Sequence, residues 1–157
     1  GEKGYTEPDP RIDLNGVDVR RKLLILARES GMSLESEEIE IENILPDACR
    51  LAPTVEAFFE ELEKADPYFE EMIKAATDGG KRLRMIAKLE DGKAKIGLQE
   101  VNQDHPFYLL SGSDNMFGFS SVRYNESPLV VRGPGAGAEV TAAGVFAEIV
   151  TIGNYLS

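Results

Sequence analysis

At 157 residues, with 42% apolar and 29% charged side chains, the sequence has the length and balance of one globular domain that buries a core without disulfides or metals. Its 28 acidic against 17 basic residues, a formal net charge of −11, speak against a nucleic-acid partner or an anionic membrane surface. No run reaches the roughly 20 apolar residues of a membrane span, no signal peptide opens the chain, and the single cysteine, Cys49, excludes an internal disulfide and fits a reducing cytoplasm.

In chain order, the first segment of note is GYTEPDPRIDLNGVDVRRK, Gly4 to Lys22. Pro8 and Pro10 fix two φ angles and bias Glu7 and Asp9 towards extended geometry, giving a stiff, acidic lead-in. Asp13-Leu14-Asn15-Gly16 reads as a helix start, with Asp13 or Asn15 able to accept orphan backbone N–H bonds. From Val17 a helix is predicted, with Val19, Leu23, Leu26 and Ala27 on one face, Leu24 and Ile25 widening it, and Gly31 ending it. Ile39–Leu45 alternates as a strand with Ile39 and Ile41 facing inward, and Pro46 to Pro53 is a connector.

Thr54 begins a second helix, capped by Thr54 or its neighbour and striped by Val55, Phe58, Phe59 and Leu62. Asp66-Pro67 opens a third, which runs through Tyr68, Phe69, Met72, Ile73 and Ala76 to Gly79-Gly80. Phe58, Phe59, Tyr68 and Phe69 are expected in the core. RLRMIAKLEDGKAKIGLQEVN is a hairpin turning at Asp91-Gly92. NMFGFSSVRYN and PLVVRG read as two further strands, and GPGAGAEVTAAGVFAEIVTIGNYL as a glycine-rich turn leading into a small-residue helix. The sum is an α+β fold, a largely antiparallel or mixed sheet with helices on one face.

Asp18 and Lys22 are spaced i, i+4 and share one helix face, which borders the apolar stripe and so allows partial burial. A Lys beside a carboxylate is a candidate proton donor or acceptor. The blander alternative is equally physical: acids before a helix complement its macrodipole, and Asp–Lys pairs at this spacing are common surface decoration. Elsewhere, His105 before Pro106 reads as structural or superficial, Cys49 has no setting that would activate a thiol, and one His and one Cys leave a zinc site short of ligands. The glycines at 133, 135 and 137 form GxGxG without the second strand and ribose-binding acid of a Rossmann fingerprint, and a glycine-rich turn before such a helix more often serves close helix packing than phosphate binding.

GYTEPDPRIDLNGVDVRRKLLILAR resembles the substrate-domain signature of homoserine dehydrogenase, the NAD(P)-dependent enzyme linking aspartate 4-semialdehyde and homoserine. GPGAGAEVTAAGVFAEIV is similar to the family's C-terminal segment, so the resemblance covers essentially the whole chain, and its texture is most like the C-terminal part of bifunctional aspartokinase–homoserine dehydrogenases. The resemblance implies that Glu7 holds the substrate's α-ammonium group, that Gly4 and Tyr5 line the amino-acid site, and that Asp18 positions the reacting end. It implies that Lys22 is the general acid–base. Asp13 also matches a family acidic position, whereas Ile12 replaces an Asp often found there.

In the bend, Gly137 corresponds to a glycine near the nicotinamide end of the cofactor, NADP or NAD, with Gly135 and Thr141 as neighbouring cofactor-binding positions. No strand–GxGxxG–helix unit occurs in these residues, and the chain begins with Gly, not Met. The expectation is therefore an excised catalytic, substrate-binding and dimerisation domain over residues 1–157, lacking its dinucleotide-binding partner domain and inactive alone. A homodimer, a small amino-acid substrate, and no nucleic-acid or membrane partner complete the reading. A non-catalytic amino-acid sensor using Glu7 and Asp18, and a purely structural pairing module, are the alternatives from other classes.

Overall fold

The computed structural model of the chain describes residues 9–112, 114–135 and 137–156, with the side chain of Asp13 outside the description. The chain forms two compact units that divide between Gln103 and Asp104.

The first unit opens with a helix that the sequence patterning did not resolve. Helix α1 (Pro10–Leu14) is capped by Asp9, whose side chain accepts from the Arg11 N–H, and Pro10 supplies the preset φ of a first helical residue. Asp13-Leu14-Asn15-Gly16 is thus the end of one helix and the turn into the next. Gly16, at φ 75°, makes that turn, and Asn15 Oδ1 accepts from the Val17 N–H at 3.2 Å. Helix α2 (Val17–Glu29) follows, buries Leu23 and Ala27, and ends before Gly31 at φ 82°. Its stripe is narrower than its apolar content: Ile25 is 61% exposed.

Three strands form a mixed sheet in the order β1–β3–β2. The long hairpin β2 (Arg82–Glu90) and β3 (Lys93–Val101) pairs from Arg82 opposite Val101 to Glu90 opposite Lys93. Asp91 at φ 49° and Gly92 at φ 75° are both left-handed, as a two-residue hairpin turn of matching twist requires. Strand β1 (Ile39–Ile41) lies parallel to β3, with Ile39 opposite Ala94. It is shorter than the alternation of Ile39–Leu45 suggests. Glu42 still donates to the Ile96 carbonyl at 2.8 Å, but Ile44 and Leu45 leave the sheet to pack among the helices that follow. Leu23, Ala27, Leu34, Ile39, Ala94 and Ile96 form one core, with Met85, Ala87 and Leu89 of β2 around it, so α2 covers one face of this sheet.

A second core belongs to the helices. The segment from Pro46 to Pro53, read as a plain connector, contains a short helix α3 (Asp47–Arg50), with Asp47 in its first turn paired to Arg50 at 2.8 Å. Helix α4 (Val55–Lys64) starts at Thr54, whose hydroxyl accepts from the Ala57 N–H at 3.1 Å, and α5 (Asp66–Asp78) runs to Gly79. Leu45, Cys49, Ala52 and Phe58 are buried together, with Leu14, Leu62 and Phe69 packed against them. Full burial of Phe58 alone is worth about 1.5–3 kcal/mol. Phe59 and Tyr68, expected inside, are 48% and 49% exposed, because only one edge of each helix meets this cluster.

The second unit carries a separate two-stranded antiparallel ribbon, so the strands do not form one continuous sheet. Strand β4 (Asp114–Phe119) pairs with β5 (Leu129–Pro134), Asp114 opposite Pro134 and Phe119 opposite Leu129. The longer strand read from NMFGFSSVRYN stops at Phe119. A turn closes instead, in which Ser121 Oγ accepts from the Tyr124 N–H at 3.2 Å. Helix α6 (Ala138–Leu156) ends the unit, and none of its described side chains is buried. Among the described residues no helix is long and apolar enough to cross a membrane.

Candidate active site

A polar cluster of the first unit lies at the start of α1. Asp9 and Arg11 form a fork: Arg11 Nε donates to Asp9 Oδ1 at 2.9 Å, and Arg11 Nη2 to Asp9 Oδ2 at 2.7 Å. The remaining arm, Nη1, donates to the Ala52 carbonyl at 2.5 Å, and the guanidinium carbon stands 6.0 Å from the centre of the Phe58 ring. These side-chain bonds, with the Arg11 backbone N–H second, hold the Asp9 carboxyl below the usual carboxylate range, and Asp9 raises the Arg11 guanidinium. The arrangement depends on a fork geometry that only arginine offers.

Helix α2 brings together the two predicted residues that fall inside the description. Lys22 Nζ and Asp18 Oδ2 are 2.7 Å apart, with the Lys22 side chain 36% and the Asp18 side chain 62% exposed. The pair is therefore more open than a position bordering the apolar stripe implied. The reason is rotational: Leu23 and Ala27 take the buried face, which turns Asp18 towards solvent. Gly4, Tyr5 and Glu7 lie outside the described residues.

Gly135, Gly137 and Thr141 belong to the second unit. A Cβ on Gly135 would overlap the Asn115 carboxamide, so the close approach served there is to β4. Gly137 has φ 133°, a conformation that side chains other than glycine rarely adopt, and its carbonyl accepts the Thr141 N–H at 3.0 Å to start α6. The bend is thus glycine for reasons of packing at Gly135 and of backbone conformation at Gly137.

Two other side chains noted in the sequence have structural settings. His105 Nδ1 accepts from the Phe107 N–H at 3.1 Å and caps the 3₁₀ turn Pro106–Leu109. Cys49 is fully buried; burial, then the nearby Glu61 charge, pushes its thiol up and away from nucleophilic use. A groove of about 410 Å³ runs between Leu45–Cys49 and the α4–α5 junction at Lys64–Tyr68, and neither Asp18 nor Lys22 lines it. The residue that sequence reasoning passed over is Arg11. Asp9-Pro10, a capping acid before an N1 proline, was the available signal for the helix it sits on.

The profile of the family described as homoserine dehydrogenase matches residues 1–150. The chloroplastic bifunctional aspartokinase/homoserine dehydrogenase 1 of Zea mays is 44% identical over 155 residues, which is 98% of this chain and 17% of that protein. Among solved structures, a Candida auris protein of unknown function aligns with a TM-score of 0.87 at 37% identity, over 96% of this chain and 43% of that one. A putative homoserine dehydrogenase of Archaeoglobus fulgidus aligns with a TM-score of 0.70 at 28% identity, over 96% of this chain and 40% of that one. The chain spans well under a quarter of the curated relative and less than half of either solved chain.

Proposed function

The chain belongs to the homoserine dehydrogenase family, an oxidoreductase family, and from that membership we propose that it is the substrate-binding and dimerisation part of an enzyme interconverting L-homoserine and L-aspartate 4-semialdehyde. The observation that carries the proposal is the Asp18–Lys22 pair, 2.7 Å apart and accessible on the helix that holds the family's signature.

The chemistry of the pair suits the reaction. Reduction of an aldehyde adds a hydride to carbon and a proton to oxygen. When bound, NAD(P)H supplies the hydride; which of the two dinucleotides serves is a matter for residues beyond this chain. Lys22 gives its ammonium proton to the carbonyl oxygen, becoming a neutral amine as the alcohol forms, and takes a proton back in the oxidative direction. Asp18 orients the Nζ. Glu7 grips the substrate's α-ammonium group, and Gly4 and Tyr5 line its cleft through close backbone approach. The residues of the bend fit a dinucleotide: Gly137 presents no side chain at the start of α6, and the N–H groups of a helix's first turn, which have no partner within the helix, suit an anionic ligand. Gly135 and Thr141 flank that approach.

In this reading residues 1–157 hold half of an interdomain site, the dinucleotide-binding half lies on another part of the parent protein, and two copies pair in the cytoplasm. The lone cysteine, which leaves no internal disulfide, supports a reducing compartment. Homoserine-dependent reduction of NADP⁺ by the full-length parent tests it. Lys22→Ala is expected to lower kcat by about 10²–10⁴-fold, with stability within about 0.5 kcal/mol because the side chain is accessible. Wild-type kcat in that variant, or robust turnover by residues 1–157 alone, contradicts the assignment.

A further inference from the structure

We propose that the groove between Leu45–Cys49 and the α4–α5 junction is a binding site for a free α-amino acid with an aliphatic side chain, such as leucine. It is separate from the reaction proposed for Asp18 and Lys22, neither of which lines the groove.

One wall forms where the chain leaves the sheet. Strand β1 ends at Ile41, and Ile44, Leu45 and Pro46 lead from there into α3. Leu45 and Cys49 are 7% and 0% exposed and pack with Ala52 and Phe58, so the apolar floor is anchored in the helical core. The opposite wall is the bend between α4 and α5. Ala65 makes that bend, its N–H bonded to the Glu61 and Leu62 carbonyls, and its side chain is only a methyl group. The space left, about 410 Å³, falls within the roughly 300–1,000 Å³ of small-ligand pockets.

Charges on the rim select the ligand. Lys64 Nζ lies 2.6 Å from Glu61 Oε1, and both side chains line the groove. Glu61 is 33% exposed and Lys64 67%, so the carboxylate lies deeper than the ammonium. The Glu61 charge also bears on the buried Cys49 thiol, as a group leaning towards the floor does. A ligand with a single charge would answer one partner and leave the other unpaired beside an apolar wall. An α-amino acid carries both charges on one carbon. Its ammonium meets Glu61, its carboxylate meets Lys64, and its aliphatic chain lies against Ile44, Leu45 and Ala65. The contact it opens is an exposed i, i+3 ion pair, which rearranges at little cost.

Nitrogen-15 NMR of the 157-residue chain, titrated with L-leucine, tests the site. Saturable shifts are expected in the amides of residues 43–49 and 61–68. Two analogues with the same side chain and one charge each, 3-methylbutylamine and 4-methylpentanoate, should bind about tenfold more weakly or worse. Homoserine, with both charges but a hydroxyl facing the apolar wall, should also bind about tenfold more weakly or worse. Glu61→Gln and Lys64→Gln should each weaken leucine about tenfold. Ala48 lines the groove at an exposed position, so Ala48→Phe fills the space without disturbing the core and should abolish the shifts. Silent amides at 43–49 and 61–68, equal binding of the singly charged analogues or of homoserine, or unchanged leucine affinity in any of the three variants overturns the site. Shifts confined to the amides around Asp18 and Lys22 overturn it too, and place the amino acid with the proposed reaction instead.

Discussion

Asp9 shows how much one side chain contributes when a second holds it in place. Its carboxyl is lowered first by the side-chain bonds from Arg11 and then by the Arg11 backbone N–H. A carboxylate whose folded pKa lies below its unfolded value of about 4 adds stability that is complete above that value and lost as pH falls through the folded one. The melting temperature should therefore be flat above about pH 5 and fall below about pH 4. Asp9→Asn should melt lower than wild type near neutrality, with the gap closing in acid. A gap that stays constant from pH 6 to pH 2.5 would remove Asp9 as its cause. At this scale the sequence was a partial guide. Spacing alone placed Asp18 beside Lys22, because i, i+4 geometry is local. It could not pair Arg11 with Ala52, since nothing local records a contact across 41 residues. Nor could it sort Phe58 from Phe59: both are apolar, and only the direction of the neighbouring helix decides which is buried and which is 48% exposed.

The elements follow their punctuation closely where the signals are backbone signals. Asp91-Gly92 gave the hairpin because two left-handed residues in succession have few other uses, and Thr54 and Gly79 bracket the helices between them. Elements held by tertiary demand were less legible. β1 alternates for longer than it pairs, because Leu45 is needed by the helical core. α1 is too short to show periodicity and is recognisable only from its cap. The joint between α1 and α2 supplies the sharpest test of element geometry. Gly16 is buried at φ 75°, and a Cβ there would meet Ile96 Cγ2 at an ordinary 3.5 Å, so a substitution suffers from backbone strain, not from crowding. Gly16→Ala should cost about 1–2 kcal/mol, read as a lower urea midpoint with an unchanged slope. An unshifted midpoint would show that the turn relaxes at no cost. At mid-sheet Gly97 a Cβ would instead meet the Glu42 carboxylate at 2.7 Å, the movable end of an exposed side chain, so the constraint there is one of space and not of φ.

For the whole molecule, the order of predicted helices and strands was enough to predict an α+β fold, and the mixed three-stranded sheet under α2 agrees with it. The separation of the β4–β5 ribbon from that sheet was not readable, since five predicted strands look alike whether they pair as one sheet or as two. The same holds for α6. Its small and apolar residues suggested a packed helix, yet Val145, Phe146, Ile149 and Ile152 are each more than half exposed. That surface has a consequence for the chain in solution. Apolar exposure on this scale favours association, whereas two chains of charge −11 bring −22 into one particle (2 × −11) and repel one another. Ions oppose only the second of these forces: the Debye length falls from about 10 Å at 0.1 M to about 3 Å at 1 M. Sedimentation of the chain at fixed concentration should therefore shift from one copy towards two as sodium chloride rises, the reverse of an assembly held by ion pairs. A particle that dissociates on adding salt would mean that charge, and not the uncovered helix, draws the copies together.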